Sequence, residues 1–292
     1  MKRRVVLVVN RRKSLAEQLE PRVRAAIELH GELVDVLPVD SISGSLPVAD
    51  AAVVIGGDGT LLNASRACME HGTPVIGVNA GKLGFMALYD VETFEADAGR
   101  LLDVGVGLDV LEVPTLVASV LGPDGDTEDG DVRWRSEAIN EFVVTAGPPY
   151  RMISLRLRFD GVDGPTVNGD GLIVATPLGS TAYNVSAGGP IAAPGAAGML
   201  VTPIAAHSLA FRPLVLGAST EVEVELLRGN EDGPGHGTEL VGDGQISVPV
   251  SSGDRVRLSA SGRPVRFVRN ARGSYWRTLM EKMGWAAEPG SR

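Results

Sequence analysis

The feature that most constrains the fold is a short apolar run that ends in a glycine-rich loop and leads directly into a helical pattern. The run Val53–Ile55 is β-branched, and the loop Gly56-Gly57-Asp58-Gly59-Thr60 holds three glycines and one carboxylate. Glycines let backbone N–H groups approach a ligand closely, and the following helix directs the positive end of its dipole to the same place. The loop therefore suits a polyphosphate, and Asp58 favours phosphoryl transfer over simple nucleotide binding.

Two known phosphate-binding motifs do not describe this loop. It is not a G-x-x-x-x-G-K-[ST] P-loop, because no Lys follows its last glycine. It is not G-x-G-x-x-G either, since Leu62 stands where the third glycine should be. The alternative is an ordinary strand–helix turn in which Asp58 only caps the helix. The rest of the chain decides between these interpretations.

The N-terminal third of the chain alternates between strands and helices. Ser14 and Glu17 have the spacing of a capping box, which predicts a helix from there to Gly31. A second helix is predicted at Thr60–His71, ended by Gly72. Short apolar runs predict four strands, at Val5–Val9, Leu33–Leu37, Ala51–Ile55 and Val75–Val78. This alternation is typical of a parallel sheet, whose ligands bind at the carboxyl ends of the strands, where the glycine loop lies.

After about residue 107 the pattern changes to an alternation of period two. Apolar residues from Ile153 to Phe159 alternate with polar ones, and Val222, Val224 and Leu226 alternate with glutamates, which predicts half-buried antiparallel strands. Helical spacing returns from Tyr275 onward. We therefore expect an α/β domain over residues 1–107, a β-rich, sandwich-like domain over 108–270, and a terminal segment over 271–292 whose helix packs back on the first domain.

Charge and cysteine content exclude several classes of partner. The formal net charge of −9 and the pI near 5.0 argue against nucleic acid and anionic membranes, which bind basic surfaces. No apolar run approaches the ~18 residues of a membrane span. The single cysteine, Cys68, is expected to be a small core residue in a reducing cytoplasm. The acidic stretch 124–131 is expected to be a solvated loop.

Two further clusters are more polar than buried strands require. The stretch Gly169–Pro190 is a strand followed by small and hydroxylated residues, and its Thr176–Ser180 part predicts a turn into a helix start that can hold a polar ligand. Its Tyr183 could stack on a flat ring, although a tight Gly/Ser-rich hairpin is the alternative. Asn140-Glu141 interrupts an apolar run, where such a pair is costly to bury unpaired and could bind ribose hydroxyls.

Together these elements resemble the NAD kinase family. The resemblance runs in order along nearly the whole chain, through Asn79 to Phe85, His207 to Leu209, Arg212 to Val215, Asp243-Gly244-Gln245 and the tail around Trp276 and Trp285. It implies a Rossmann-like N-terminal domain, a β-rich C-terminal domain and a homodimer or homotetramer. It also implies transfer of a terminal phosphoryl group from ATP or polyphosphate to the 2′-hydroxyl of the adenosine ribose of NAD. A divalent cation, expected to be Mg²⁺, would assist.

The resemblance also implies the residues of the site. Asp58 would accept the proton of the 2′-hydroxyl, and Gly59 would lie against NAD. The backbone of Gly56, Gly57, Gly59 and Thr60 would hold the phosphates of the donor. The other NAD-binding positions would be Asn140, Glu141, Arg151, Asn168, Asp170, Thr181, Ala182, Tyr183, Asn184, Val185, Ser186, Ala205 and Gln245. Asn168 stands where the family usually carries Arg or Lys, and no residue is assigned as a metal ligand.

Two other functions compete with this one. A lipid or sugar kinase with a related glycine loop, such as a diacylglycerol kinase or a phosphofructokinase, is disfavoured by the Gly169–Pro190 stretch. A non-catalytic sensor that binds NAD or NADP is disfavoured by the presence of Asp58. The sequence does not specify the preferred donor, NAD against NADH, or the number of subunits.

Overall fold

A computed structural model describes residues 1–42, 44, 46–81, 84–123, 132–230 and 237–284. The acidic stretch 124–131, Trp285 and two residues of the Asn79–Phe85 segment, Lys82 and Leu83, lie outside the described residues. The chain divides into two compact units, one formed by Met1–Glu112 with the chain from Val265 onward, the other by Val113–Pro264. The domain ends read from the sequence, at 107 and 270, stay predictions.

The first unit is built on a parallel sheet. Its elements are β1 (Arg4–Val9), α1 (Ser14–His30), β2 (Glu32–Pro38), β3 (Ala51–Gly56), α2 (Asp58–Cys68), β4 (Val75–Asn79) and α3 (Val91–Leu101). The strand order is β2-β1-β3-β4, with parallel pairing throughout. All residues of β3 are buried, because helices cover parallel strands on both faces. The four strands predicted from the apolar runs are confirmed.

The start of α1 differs from the prediction. The N-cap is Lys13, and its side chain makes no capping hydrogen bond, so the predicted capping box of Ser14 and Glu17 is wrong. The backbone N–H of Lys13 donates to the carbonyl of Asn10, and the N–H of Glu17 donates to the carbonyl of Lys13. This turn starts the helix one residue early, so Ser14 is already helical. The predicted end at Gly31 is confirmed.

The second helix begins two residues earlier than predicted, at Asp58, because Gly57 takes the N-cap position. It continues as a 3₁₀ turn over Met69–His71 and ends at Gly72, whose φ of 60° is a left-handed conformation that glycine adopts readily. Cys68 is buried in this helix, and burial raises the pKa of its thiol to about 12. A thiol in that state is inert, which confirms its role as a core residue.

The second unit packs two antiparallel sheets face to face. One contains β8 (Ile153–Phe159), β9 (Val162–Gly169), β13 (Val222–Arg228) and most of β16 (Arg255–Val268), with β5 (Val110–Leu121) and β6 (Val132–Ala138) attached. The other follows the order β12-β11-β10-β7-β14-β15, from β7 (Glu141–Ala146), β10 (Gly171–Ala175), β11 (Met199–Ile204), β12 (Leu214–Leu216), β14 (Thr238–Gly242) and β15 (Ile246–Pro249). One core joins Leu155 and Val224 of the first sheet to Val144 and Leu240 of the second. The predicted sandwich is confirmed.

The C-terminal part of the chain belongs to the first unit. Phe267 of β16 pairs with Val75 in a parallel register, and the hydroxyl of Tyr89 donates to the carbonyl of Arg269 at 2.9 Å. Helix α5 (Tyr275–Met283) follows, and its return to the first unit confirms the prediction. Over the described part of the chain, no helix is both long and apolar enough to cross a membrane.

Candidate active site

In the first unit the glycine loop presents a carboxylate that does not cap its own helix. The N-cap of α2 is Gly57, and Asp58 is the first residue of the helix. Instead the backbone N–H of Phe85 donates to its Oδ2 and the N–H of Met86 donates to its Oδ1, both at 3.1 Å. The capping interpretation is therefore wrong. The carboxylate is held by a second loop, more than twenty residues further along the chain, while 36% of the side chain stays accessible.

The close approach of that second loop depends on Gly84. A Cβ atom at this position would collide with the carboxylate of Asp58, so only glycine allows the loop to fold over it. Thr60 is fixed as well: it is buried, and its hydroxyl accepts a hydrogen bond from the amide of Asn10 at 2.9 Å. Its hydroxyl thus braces the loop, leaving the glycine backbone and the dipole of α2 to face an anion.

Two cations stand near the loop that the sequence did not suggest. A side chain at Gly57 would come within 3.1 Å of the ammonium of Lys13. Lys282, on α5, has its Nζ 3.8 Å from Oδ2 of Asp58. Lys13 follows directly after the turn at the carboxyl end of β1, the edge where ligands of parallel sheets bind, and that position could have singled it out. No local signal exists for Lys282, because only the folding of the chain brings it to Asp58.

In the second unit Glu141 is buried and incompletely paired. Its side chain lies at the start of β7 with 6% of the residue exposed, and its Oε2 has no hydrogen-bond partner among the residues that the structure describes. Burial, then the neighbouring carboxylate of Asp243, raises the pKa of Glu141 to about 7, and a hydrogen bond from the backbone N–H of Tyr183 opposes them. A buried acceptor without a partner costs free energy unless a ligand supplies a donor. Glu141 is therefore a candidate ligand-binding group.

Asp243 fixes the backbone that carries this glutamate. It lies in a left-handed conformation with φ of 52°, and its carboxylate accepts hydrogen bonds from the N–H groups of Ile139, Asn140 and Glu141. The shortest, from Asn140, is 2.7 Å. The sequence marked Asp243-Gly244-Gln245 as part of the resemblance without giving Asp243 a role. Gln245 itself is exposed.

The Gly169–Pro190 stretch contacts the backbone at Ile139 and Asn140, next to Glu141. The hydroxyl of Thr176 donates to the carbonyl of Ile139 and accepts from the N–H of Gly179, while the N–H of Thr176 donates to the carbonyl of Asn140. A Cβ at Gly179 would collide with that carbonyl. The stretch forms a 3₁₀ turn and the short helix α4 (Tyr183–Ser186), so the hairpin alternative is wrong.

Within this helix the predicted residues differ in their surroundings. The amide of Asn184 is buried: its Nδ2 donates to the carbonyls of Ser180 and Pro190, and its Oδ1 accepts from the hydroxyl of Thr202. That side chain already has partners on both ends of its amide. By contrast, Tyr183 is 46% exposed. Accessible surface is also present on the other predicted positions of this turn, Thr181, Ala182, Val185 and Ser186.

The remaining predicted positions lie around the turn between β9 and β10. The carbonyl of Asn168 accepts from the N–H of His207, and its side-chain oxygen accepts from the hydroxyl of Ser154 at 2.8 Å. Asp170 is exposed, and its N–H donates to the carbonyl of Ile204, next to Ala205 with its φ of 46°. Arg151 is exposed and precedes β8, whose first residue pairs with Gly169.

The described residues contain no ready-made metal site. Among the residues that the structure describes, no group of three or more His, Cys, Asp or Glu side chains could hold one. Mg²⁺ in phosphoryl-transfer sites is usually held by substrate phosphates, waters and one or two carboxylates. The accessible carboxylate of Asp58 beside the glycine loop fits that mode.

Comparison with known proteins identifies the family. Residues 47–106 match the family model of the ATP-NAD kinase N-terminal domain, and residues 139–270 match that of the C-terminal domain. An NAD kinase of Rhodopirellula baltica is 36% identical over 265 residues, 91% of this chain and 81% of the relative. One of Wolinella succinogenes is 37% identical over 276 residues, 90% and 89% of the two chains. The chain belongs to the NAD kinase family.

Solved structures agree with this assignment. An NAD kinase from Archaeoglobus fulgidus, crystallised with ATP, is 27% identical with a TM-score of 0.72, covering 96% of this chain and 98% of that one. Yeast NADH kinase, crystallised with NADH, shares the fold with a TM-score of 0.80 at 20% identity, covering 99% and 89%. The fold class and the enzyme class predicted from the sequence are those of NAD kinases, and both are confirmed.

Proposed function

We propose that this chain transfers the terminal phosphoryl group of ATP or polyphosphate to the 2′-hydroxyl of the adenosine ribose of NAD, with Asp58 as the acceptor of the hydroxyl proton. The observation that carries this role is the carboxylate of Asp58, held at the glycine loop by the N–H groups of Phe85 and Met86. Here two anchored oxygens keep lone pairs for a hydroxyl.

The donor side would be the glycine loop. The backbone of Gly56, Gly57, Gly59 and Thr60 and the dipole of α2 suit the donor phosphates, and Lys13 adds a cation near Gly57. A divalent cation, proposed as Mg²⁺, would neutralise charge on the donor phosphates, and Asp58 is the one carboxylate within the loop. Positioning and charge neutralisation supply most of the catalysis in phosphoryl transfer.

The chemistry is an in-line displacement. A bond forms between the ribose 2′-oxygen and the terminal phosphorus, and the bond from that phosphorus to its bridging oxygen breaks, releasing ADP when ATP is the donor. The hydroxyl proton passes to Asp58 and from there to solvent. Because the transition state is loose, the main task of Asp58 would be to orient the hydroxyl before it takes the proton.

The NAD-binding side is proposed to centre on Asn140 and Glu141. The unpartnered Oε2 of Glu141 can accept a ribose hydroxyl, which would supply the donor that this buried oxygen lacks. Tyr183 is exposed and suits stacking on a base. Because both ends of the Asn184 amide have partners, we assign that residue to holding the turn in shape. The other NAD-binding positions are proposed as predicted from the sequence.

Incubation with NAD, ATP and Mg²⁺, followed by detection of NADP with an NADP-specific dehydrogenase, tests the function. NADP formation above background is expected, and its absence would favour a dinucleotide sensor. Parallel reactions with diacylglycerol and fructose 6-phosphate address the lipid and sugar kinase alternatives, and we expect no product from either. Replacing ATP by polyphosphate identifies the donor. The homodimer or homotetramer and the cytoplasmic location stay proposals, and light scattering of the purified chain tests the first.

A further inference from the structure

Helix α5 brings a cation to the carboxylate of Asp58. The Nζ of Lys282 lies 3.8 Å from Oδ2 of Asp58 and 5.0 Å from the ring centroid of Phe85. The backbone N–H of Phe85 donates to the same Oδ2. The ammonium is therefore held between an anion and the face of an aromatic ring, a geometry in which both interactions are attractive.

The helix that carries Lys282 is anchored within the first unit. Its N-terminus is capped by Ser274, and the ring of Tyr275 packs on that of Phe85 with centroids 6.0 Å apart. Leu279 is buried on the inner face of the helix. The amide of Asn270, just before the helix, donates to the carbonyl of Leu88 at 2.8 Å. Lys282 is thus presented from a fixed position.

A carboxylate beside a polyphosphate site creates an electrostatic conflict, because it repels the donor. Asp58 stands at the N-terminus of α2, within the loop proposed to bind the donor. Its oxygens accept hydrogen bonds from two backbone N–H groups and face one ammonium. A carboxylate has about four lone-pair sites, so one remains for a substrate hydroxyl. Lys282 is the charge that balances the carboxylate from the side of α5.

We propose that Lys282 is a positioning residue for Asp58: its ammonium neutralises the carboxylate toward the donor phosphates and fixes its orientation toward the acceptor hydroxyl. Lys282 acts through Asp58 and does not bind the donor itself. This role rests on the function proposed above. An ion pair that only stabilised the fold would not affect donor binding. For a positioning residue, the effect of Lys282 on donor binding should be present with Asp58 and disappear when the charge of Asp58 is removed.

A binding cycle tests this dependence. The affinity for β,γ-methylene-ATP with Mg²⁺ is measured by calorimetry in the wild-type chain, K282M, D58N and the double variant. We expect K282M to weaken binding about three- to fivefold when Asp58 is present, the scale of an exposed ion pair, and less than twofold in the D58N background. K282R keeps the positive charge and should bind the analogue as tightly as the wild type does. R277M, which removes an exposed cation from the same helix, is the matched control and should bind as the wild type does.

Two results would overturn the assignment. An equal loss in both backgrounds would show that Lys282 contacts the donor directly, and unchanged binding in K282M would show that the pair is only a structural tie. If K282M does not fold, K282Q provides a second neutral side chain for the same cycle. Failure of the cycle leaves NADP formation by the wild-type chain intact, so it is distinguishable from failure of the proposed function.

Discussion

The two units each present one key carboxylate, in opposite surroundings. Asp58 is partly accessible, held by two N–H groups and faced by Lys282. Glu141 is buried, and one of its oxygens has no partner among the described residues; burial, then the neighbouring carboxylate of Asp243, raises its pKa. The first environment orients an accessible hydrogen-bond acceptor, whereas the second makes charge costly until a ligand donates a hydrogen bond. On this difference we base our proposal that Asp58 serves the chemistry and Glu141 the recognition of NAD.

The largest expected effect comes from D58N. The amide keeps the size of the side chain but cannot take the hydroxyl proton, so we expect turnover to fall by roughly 10²-fold or more. Steady-state NADP formation measures it. D35N, which changes an exposed aspartate of β2, is the control and should keep normal turnover. Near-normal turnover in D58N would remove Asp58 from the chemistry.

G84A should damage the first site without replacing any proposed catalytic residue. The added methyl group would displace the carboxylate of Asp58, and a shift of about 1 Å in a reacting group can cost up to ~10²-fold in rate. We expect kcat to fall about 10- to 100-fold while circular dichroism shows an intact fold. G107A, where a Cβ meets no atom of the described residues within 4 Å, should retain wild-type kcat. Equal rates for both variants would contradict the proposal that residues 84–86 hold the carboxylate of Asp58 in place.

D243A addresses the second site in the same indirect way. Removing the acceptor of three consecutive N–H groups should raise the KM for NAD about 10-fold, leave the KM for ATP within about twofold, and lower the free energy of unfolding by about 2–4 kcal/mol. D254A removes an equally buried carboxylate of the same unit that accepts from the N–H of Ser251. It should reduce stability but not the affinity for NAD; an equal rise in KM would deny Asp243 its role.

The smallest effect is a pH dependence of stability caused by Glu141. Its pKa of about 7 in the folded chain exceeds the ordinary 4.5, so the folded state binds the extra proton between those values. The free energy of unfolding should therefore decrease as pH rises from about 4.5 to 7, by about 2–3 kcal/mol from this group. E141Q should lack that component. Urea unfolding at pH 5 and pH 8 measures the free energy of unfolding. The same change between these two pH values in the wild type and in E141Q would contradict the burial argument.

Much of the architecture was predictable because it depends on local pattern. Apolar runs predicted β1 to β4, and period-two alternation predicted β8 and β13. A strand buried on both faces needs a continuous apolar run, and a strand buried on one face needs an alternating one, so both patterns are visible in the sequence. The helix start at Asp58 was missed because a glycine took the N-cap position usually held by a polar residue. The capping box at Ser14 failed because a turn at Asn10 started α1 earlier.

The site was predictable only in part, for a physical reason. Residues in one segment, such as Asn140-Glu141, reveal themselves by polarity in an apolar run. Contacts between distant segments leave no such pattern in the sequence. Three of them arise only from tertiary folding: the contacts of residues 84–86 with Asp58, the hydrogen bond from the N–H of Glu141 to Asp243, and the ion pair of Lys282 with Asp58. The pKa of Glu141 likewise depends on burial and on Asp243, neither of which is local.

The most direct test of this division compares D58N and E141Q in parallel, using the dissociation constant for NAD and the single-turnover rate at saturating NAD and ATP. We predict that D58N binds NAD within about twofold of the wild type but loses roughly 10²-fold or more in rate. E141Q should bind NAD about 10-fold more weakly, the scale of one lost hydrogen bond to a charged group, and keep most of the rate once saturated. The reverse pattern, with D58N losing affinity and E141Q losing rate, would contradict the assignment of chemistry to one carboxylate and recognition to the other.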